Sequence, residues 1–183
     1  MNALTELGNA AIGWLDLVGN RPNAREKFNL SRAGLVTMLG WYFVIVILVR
    51  LIQQAVLFGT LPGAEALLVT IAYNGLPLLV LWLVAFGTVR FLKPGLGILP
   101  LLVPAGYALT FIVIVGLPVS LLSDAASAVL QGILGYMLFR LAREFGGFSF
   151  GVAIGYAVLS ILLLVAVPVG LYMLLVPEIP TPD

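Results

Sequence analysis

The chain has no cysteine and no histidine. Without cysteine there are no disulfides, no iron–sulfur ligands and no thiolate nucleophile. Without histidine the chain lacks the commonest general base, the commonest metal ligand and the side chain that switches near neutral pH. Charge is scarce as well: 9% of the 183 residues are Asp, Glu, Lys or Arg, while 62% are hydrophobic. Soluble domains carry roughly 25% charged residues, so this composition cannot cover a water-facing globule. The bilayer must act as its solvent. A net charge of +1 gives no field that would draw nucleic acid, and no such partner is expected.

The little charge present is patterned. Arg21, Arg25, Lys27 and Arg32 precede the first long apolar run, Arg90 and Lys93 fall between the second and third, and Arg140 and Arg143 between the fourth and fifth. The alternate segments, around Glu65 and Asp124 and after Val176, hold no base and four acids, Glu65, Asp124, Glu178 and Asp183. By the positive-inside rule this predicts an all-α integral membrane protein of a bacterial-type cytoplasmic (inner) membrane, with a cytoplasmic N-terminus and a periplasmic C-terminus. An N-terminal arm over 1–32 leads into five transmembrane helices at 33–58, 66–91, 98–122, 125–139 and 150–176, then a short extracytoplasmic tail at 177–183. A crossing takes about 20 helical residues. The 125–139 segment is short, so it spans fully with Asp124 and Arg140 at its ends or is re-entrant; a full crossing keeps Arg140 and Arg143 cytoplasmic. The first 20 residues show no basic n-region, so the first span is expected to act as an uncleaved anchor. Pro77, Pro118 and Pro168 are expected to kink or locally unwind their spans.

Residues 4–18 are amphipathic. Leu4, Leu7, Ala11, Trp14, Leu15 and Val18 share one face, and Thr5, Glu6, Asn9 and Asp16 fall opposite. Two placements fit: an in-plane helix at the membrane interface with Trp14 at headgroup depth, or a helix folded on the cytoplasmic end of the bundle. The acidic polar face differs from the Lys/Arg face usual in lipid-binding helices.

Within the spans, Arg50 stands about eight residues, hence about 12 Å, from the outer end of its helix. A charge there should snorkel outward or face a polar interior. Gln53 and Gln54 join it at i+3 and i+4. Tyr73, Asn74 and Gln131 lie at comparable depth in the second and fourth spans, the last above Ser123, Ser127 and Gly135. One reading is a polar pocket lined by Arg50, Gln53, Gln54, Tyr73, Asn74 and Gln131 that takes an anionic headgroup or solute. The other is a structural polar cluster in which Arg50 pairs with Glu65 or Asp124. Gly147, Gly151 and Gly155, with Ala128 and Gly132, form small-residue stripes suited to a contact between spans four and five or to a homodimer seam. The residue types needed for catalysis are missing, and no catalytic residue, metal or cofactor is expected.

The span plan and the pair Gly106-Tyr107, which follows Pro104 in the middle span, resemble the Yip family of five-span membrane proteins, named for interaction with Rab/Ypt GTPases, and its uncharacterised bacterial relatives. The resemblance implies the architecture and marks Gly106 and Tyr107 as family-like positions. The acidic-aromatic motif of the eukaryotic N-terminal arm is absent, and no GTPase partner is carried over. The expected function is a non-enzymatic scaffold or accessory subunit acting through helix–helix and lipid contacts, with lipids and a homo-oligomer or membrane-protein partner. The alternative is a small transporter or permease component built on the Arg50 pocket.

Overall fold

A computed structural model describes residues 2–120 and 124–175, and their side chains except at 120, 124–127 and 175. The predicted tail at 177–183 and the side chains of Ser123, Asp124 and Ser127 lie outside the described residues. Among those described are six α-helices and no strand: α1 (Ala3–Val18), α2 (Arg32–Phe58), α3 (Ala64–Leu92), α4 (Leu99–Ser120), α5 (Asp124–Glu144) and α6 (Phe150–Leu175). Four of them, α2, α3, α4 and α6, are long and apolar enough to cross a membrane, which makes the chain a helical membrane protein by length and composition. At 21 residues, α5 is about 31 Å long but less apolar. It extends past Phe139 to Glu144 because Arg140 and Arg143 are held at its end: Arg143 donates to the Phe148 carbonyl at 2.9 Å.

Local chemistry sets the helix ends. Ser31 caps α2 by accepting from the Gly34 amide at 3.2 Å, and Gly59 closes it in the left-handed region at φ 66°. The helices run unbroken through Pro77, Pro118 and Pro168.

The bundle is organised around α4. It packs on α1, α2, α3 and α5, while α6 lies against α3 and α5. Residues 101–110 of α4 are all buried. Close approach of α2 depends on Gly106, where a Cβ would overlap the Met38 sulfur.

Eight of the nine bases gather at one end of the bundle. Lys93 Nζ donates to the Gly146 carbonyl at 2.8 Å, joining the α3–α4 loop to the α5–α6 turn there. Arg50 is the exception.

At this basic end α1 folds onto the bundle, packing on α2, α4 and α5. Its buried side is Glu6, Ala10, Gly13, Trp14 and Leu17. Trp14 Nε1 donates to the Pro104 carbonyl at 3.0 Å, Trp41 Nε1 to the Ala3 carbonyl at 2.9 Å, and Arg140 Nε to the Leu17 carbonyl at 3.1 Å. A short 3-10 turn, Ala24–Lys27, and Phe28 fold back over Gly13, where a Cβ would meet the Phe28 ring at 2.7 Å. Phe28 stacks edge-on between Trp14 (6.0 Å) and Phe145 (5.6 Å).

The Gly106–Met38 contact yields a test. Gly106→Leu should lower stability by at least about 1–3 kcal/mol through overpacking, and Met38→Ala should restore part of it. Thermal unfolding of the single and double variants in detergent reads this directly; additive losses would show that the two positions do not touch.

Candidate functional site

Between α2 and α3, away from the basic end, lies a cavity of about 280 Å³. Arg50 and Gln53 reach it from one turn of α2; Thr70, Tyr73 and Asn74 reach it from one face of α3; Val113 of α4 backs it. The spacings i,i+3 and i,i+4 put each set on a single helix face. Two of the polar groups are partly committed to their own helix: Thr70 Oγ1 donates to the Ala66 carbonyl and Asn74 Nδ2 to the Thr70 carbonyl, both at 2.8 Å. Asn74 retains a second amide N–H and a free carbonyl oxygen. Tyr42, buried one turn closer to the basic end than Val46, donates to the Asn74 backbone carbonyl at 2.8 Å and ties α2 to α3 at the cavity's inner limit.

Arg50 has no such partner among the described residues. Its Nε is fully buried and unbonded, and the ion pairs among the described residues are Arg21–Asp16 and Arg140–Glu144, both 3.5 Å. Glu65, exposed at the start of α3, does not pair with it. The cavity therefore holds one guanidinium with no carboxylate among its lining residues.

Four of the six predicted pocket residues thus meet, Arg50, Gln53, Tyr73 and Asn74. Gln54 is half-buried outside the cavity. Gln131 stands elsewhere, exposed in a groove between α5 and α6 beside Ala128, Gly132 and Gly135. The reason is topological: α5 packs on α4, α6 and α1, across α4 from the Arg50 cavity. Of the small residues, Gly135 makes the close α5–α6 approach, since a Cβ there would meet Ile161 at 3.4 Å. Gly132, Gly151 and Gly155 face open space, and Ala128 is exposed. Gly147 is not part of a helical stripe but stands in the α5–α6 turn at φ 59°.

A second polar site was not predicted: the seat of α1. Glu6 is buried at 7% exposure rather than lying on an open polar face. Its Oε1 accepts from Asn29 Nδ2 at 2.7 Å, while Oε2 is buried without a partner. Nearby, the buried Tyr107 hydroxyl is also unpartnered and lies in the field of the Glu6 carboxylate. Gly106 of the family-like pair therefore sits where α2 closes on α4, against Met38, and Tyr107 is buried in the same helix. A signal was present in the sequence. At about 100° per residue, Thr5, Asn9 and Asp16 cluster within about 40° of arc, and Glu6 stands apart on the Ala10–Leu17 side.

Beneath α1, a groove of about 810 Å³ runs between its Ala11, Trp14 and Val18 and the bundle residues Phe111, Ile133 and Met137. Comparisons with protein-family models, with curated proteins and with solved structures find no match for this chain.

If Glu6 and Asn29 help seat α1, Glu6→Ala should raise amide hydrogen exchange across residues 3–18 and leave α6 unchanged. Glu6→Gln, which keeps an acceptor for Asn29, should fall between. Exchange profiles identical to the parent chain for both variants would remove Glu6 from the seat.

Proposed function

We propose that this chain is a non-enzymatic membrane protein, a scaffold or accessory subunit that works through helix–helix and lipid contacts. Its five helices α2–α6 all cross a cytoplasmic membrane, with the basic end and N-terminus in the cytoplasm and the C-terminus outside. The gathering of eight of nine bases at one end of the bundle supports that orientation. The length of α5, close to the hydrocarbon thickness of about 30 Å, supports a fifth crossing despite its lower apolarity. From the resemblance to the Yip-type plan we take architecture alone.

The observation that carries the scaffold reading over the permease reading is that the Arg50 cavity is blind. Directly beyond the Tyr42–Asn74 bond, Met38, Leu78, Leu81, Val103 and Tyr107 are buried in continuous packing. A transporter needs a polar route that can open to both sides; the packed inner half favours the scaffold reading.

Lipid contact is supported by α1, whose sides differ in chemistry. One side is buried on the bundle, Thr5, Asn9 and Asp16 point together to another, and Leu4, Ile12, Leu15 and Val18 are exposed, Leu15 and Val18 where they also line the groove beneath α1. A helix so divided sits in the plane of the interface, flanking the bundle, with the polar side toward the cytoplasm. The aromatic stack of Trp82 on Phe86, with centroids 5.4 Å apart, presents a further exposed apolar face on α3.

The lack of native cysteine makes the test clean. Gln53→Cys and Asn74→Cys should react with a small polar thiol reagent from the outer face only. Met38→Cys should react from neither face. Labelling of Asn74→Cys in inverted vesicles would replace the scaffold by a permease, and reporter fusions that put both chain ends on one side would overturn the five-span topology.

A further inference from the structure

We propose that the cavity between α2 and α3 is an oxyanion site that holds one phosphate-class group against Arg50, carried by an anionic phospholipid headgroup or by a free phosphate. Electrostatics make the first part of the argument. A guanidinium N–H withdrawn from water is unfavourable unless it is hydrogen-bonded or paired. Here Nε is fully buried and unbonded, and the cavity walls carry no carboxylate among the described residues. The fixed fork of N–H donors on a guanidinium matches phosphate oxygens two at a time. Gln53 supplies an amide and Asn74 a second N–H on the opposite wall. The site is thus one cation and two neutral donors facing a shared space.

Size narrows the ligand. About 280 Å³ corresponds to the liquid volume of about nine waters at about 30 Å³ each. That holds one tetrahedral oxyanion with some hydration and is smaller than the sites of drug-sized molecules.

Height narrows it again. Arg50 and Asn74 each stand 18 residues from the basic ends of their helices, Arg32 and Leu92. At 1.5 Å per residue both are about 27 Å from that end, and a tilt of about 20° changes this by less than about 2 Å. The hydrocarbon layer is about 30 Å thick. Counted from the basic end, the cavity therefore lies at the far hydrocarbon edge, where lipid phosphates begin, and α2 and α3 continue past it. Val69 and Tyr73 of its lining are exposed, which gives a headgroup a lateral way in while its chains remain in the bilayer. Which leaflet this is rests on the orientation proposed above; binding itself does not.

The test uses the full-length protein, stripped of lipid in a nonionic detergent and titrated with inorganic phosphate against potassium chloride of equal ionic strength. In parallel it is reconstituted in vesicles of phosphatidylcholine alone or of equimolar phosphatidylcholine and phosphatidylglycerol. The thermal unfolding midpoint is the readout. A rise with phosphate identifies a free-anion site; a rise only with phosphatidylglycerol identifies a headgroup site; both uphold an oxyanion ligand. Arg50→Gln should weaken the response about 10- to 100-fold in affinity, the loss of a charged hydrogen bond, Arg50→Lys less, and Arg90→Gln, at the basic end, not at all. Should Arg50→Gln fail to fold, Gln53→Ala serves, with a several-fold loss expected. No response to either probe, or equal responses in the parent chain, Arg50→Gln and Gln53→Ala, overturns the site.

Discussion

The indole N–H of Trp14, bonded to the Pro104 carbonyl at 3.0 Å, marks the constraint on which this structure is built: α4 must be covered on all sides over its first half. Residues 101–110 are all buried, and α2, α3 and α5 pack on α4 from within the bundle. The flank left between α5 and α2 is filled by α1, the one helix that contacts both of these and α4. The rest of the basic end follows from that closure. Gly13 lets the linker fold back over α1, Phe28 fills the angle between Trp14 and Phe145, and Arg25 lies over the Phe145 ring at 5.7 Å. Arg140 completes it by donating to the last turn of α1 at Leu17 and to Asn20 Oδ1 at 2.6 Å, a cation placed where a helix end is negative.

Basic side chains at this end therefore have structural roles beyond orientation. Lys93 and Arg143 satisfy carbonyls in and around the α5–α6 turn, where the left-handed Gly147 leaves room for the Lys93 ammonium. Arg50 contrasts with them. Its Nε is buried without a partner, and it is the one base far from the crowded end.

Much of this was readable from the sequence, because burial in lipid forces long apolar runs and the synthesis side dictates where cations remain. The positions of α2, α3, α4 and α6 follow from those two rules. So does the convergence of Arg50 and Gln53 with Tyr73 and Asn74, since adjacent antiparallel helices place residues of equal height side by side. Gln131 was misplaced because height says nothing about angular position around α4; that depends on packing order, which charge patterns do not encode. The glycines show the same limit. Spacing alone cannot distinguish Gly135, pressed on Ile161, from Gly151 and Gly155, which face open space. Glu6 was legible only as a small angular offset from the polar arc, and its partner Asn29 is remote in the chain.

The hydrogen bonds that fasten α1 join residues 90 and 123 positions apart. During synthesis α1 emerges before any of its seat exists. Pro104 must arrive for Trp14, and Arg140 for the Leu17 carbonyl, by which point four of the five later helices have been made. Of the described helices α1 is made first yet fastened only after α2 through α5 exist, and until then its indole and its buried-to-be carboxylate have no seat. Closure of this end records that α2 through α5 have assembled in the correct order around α4.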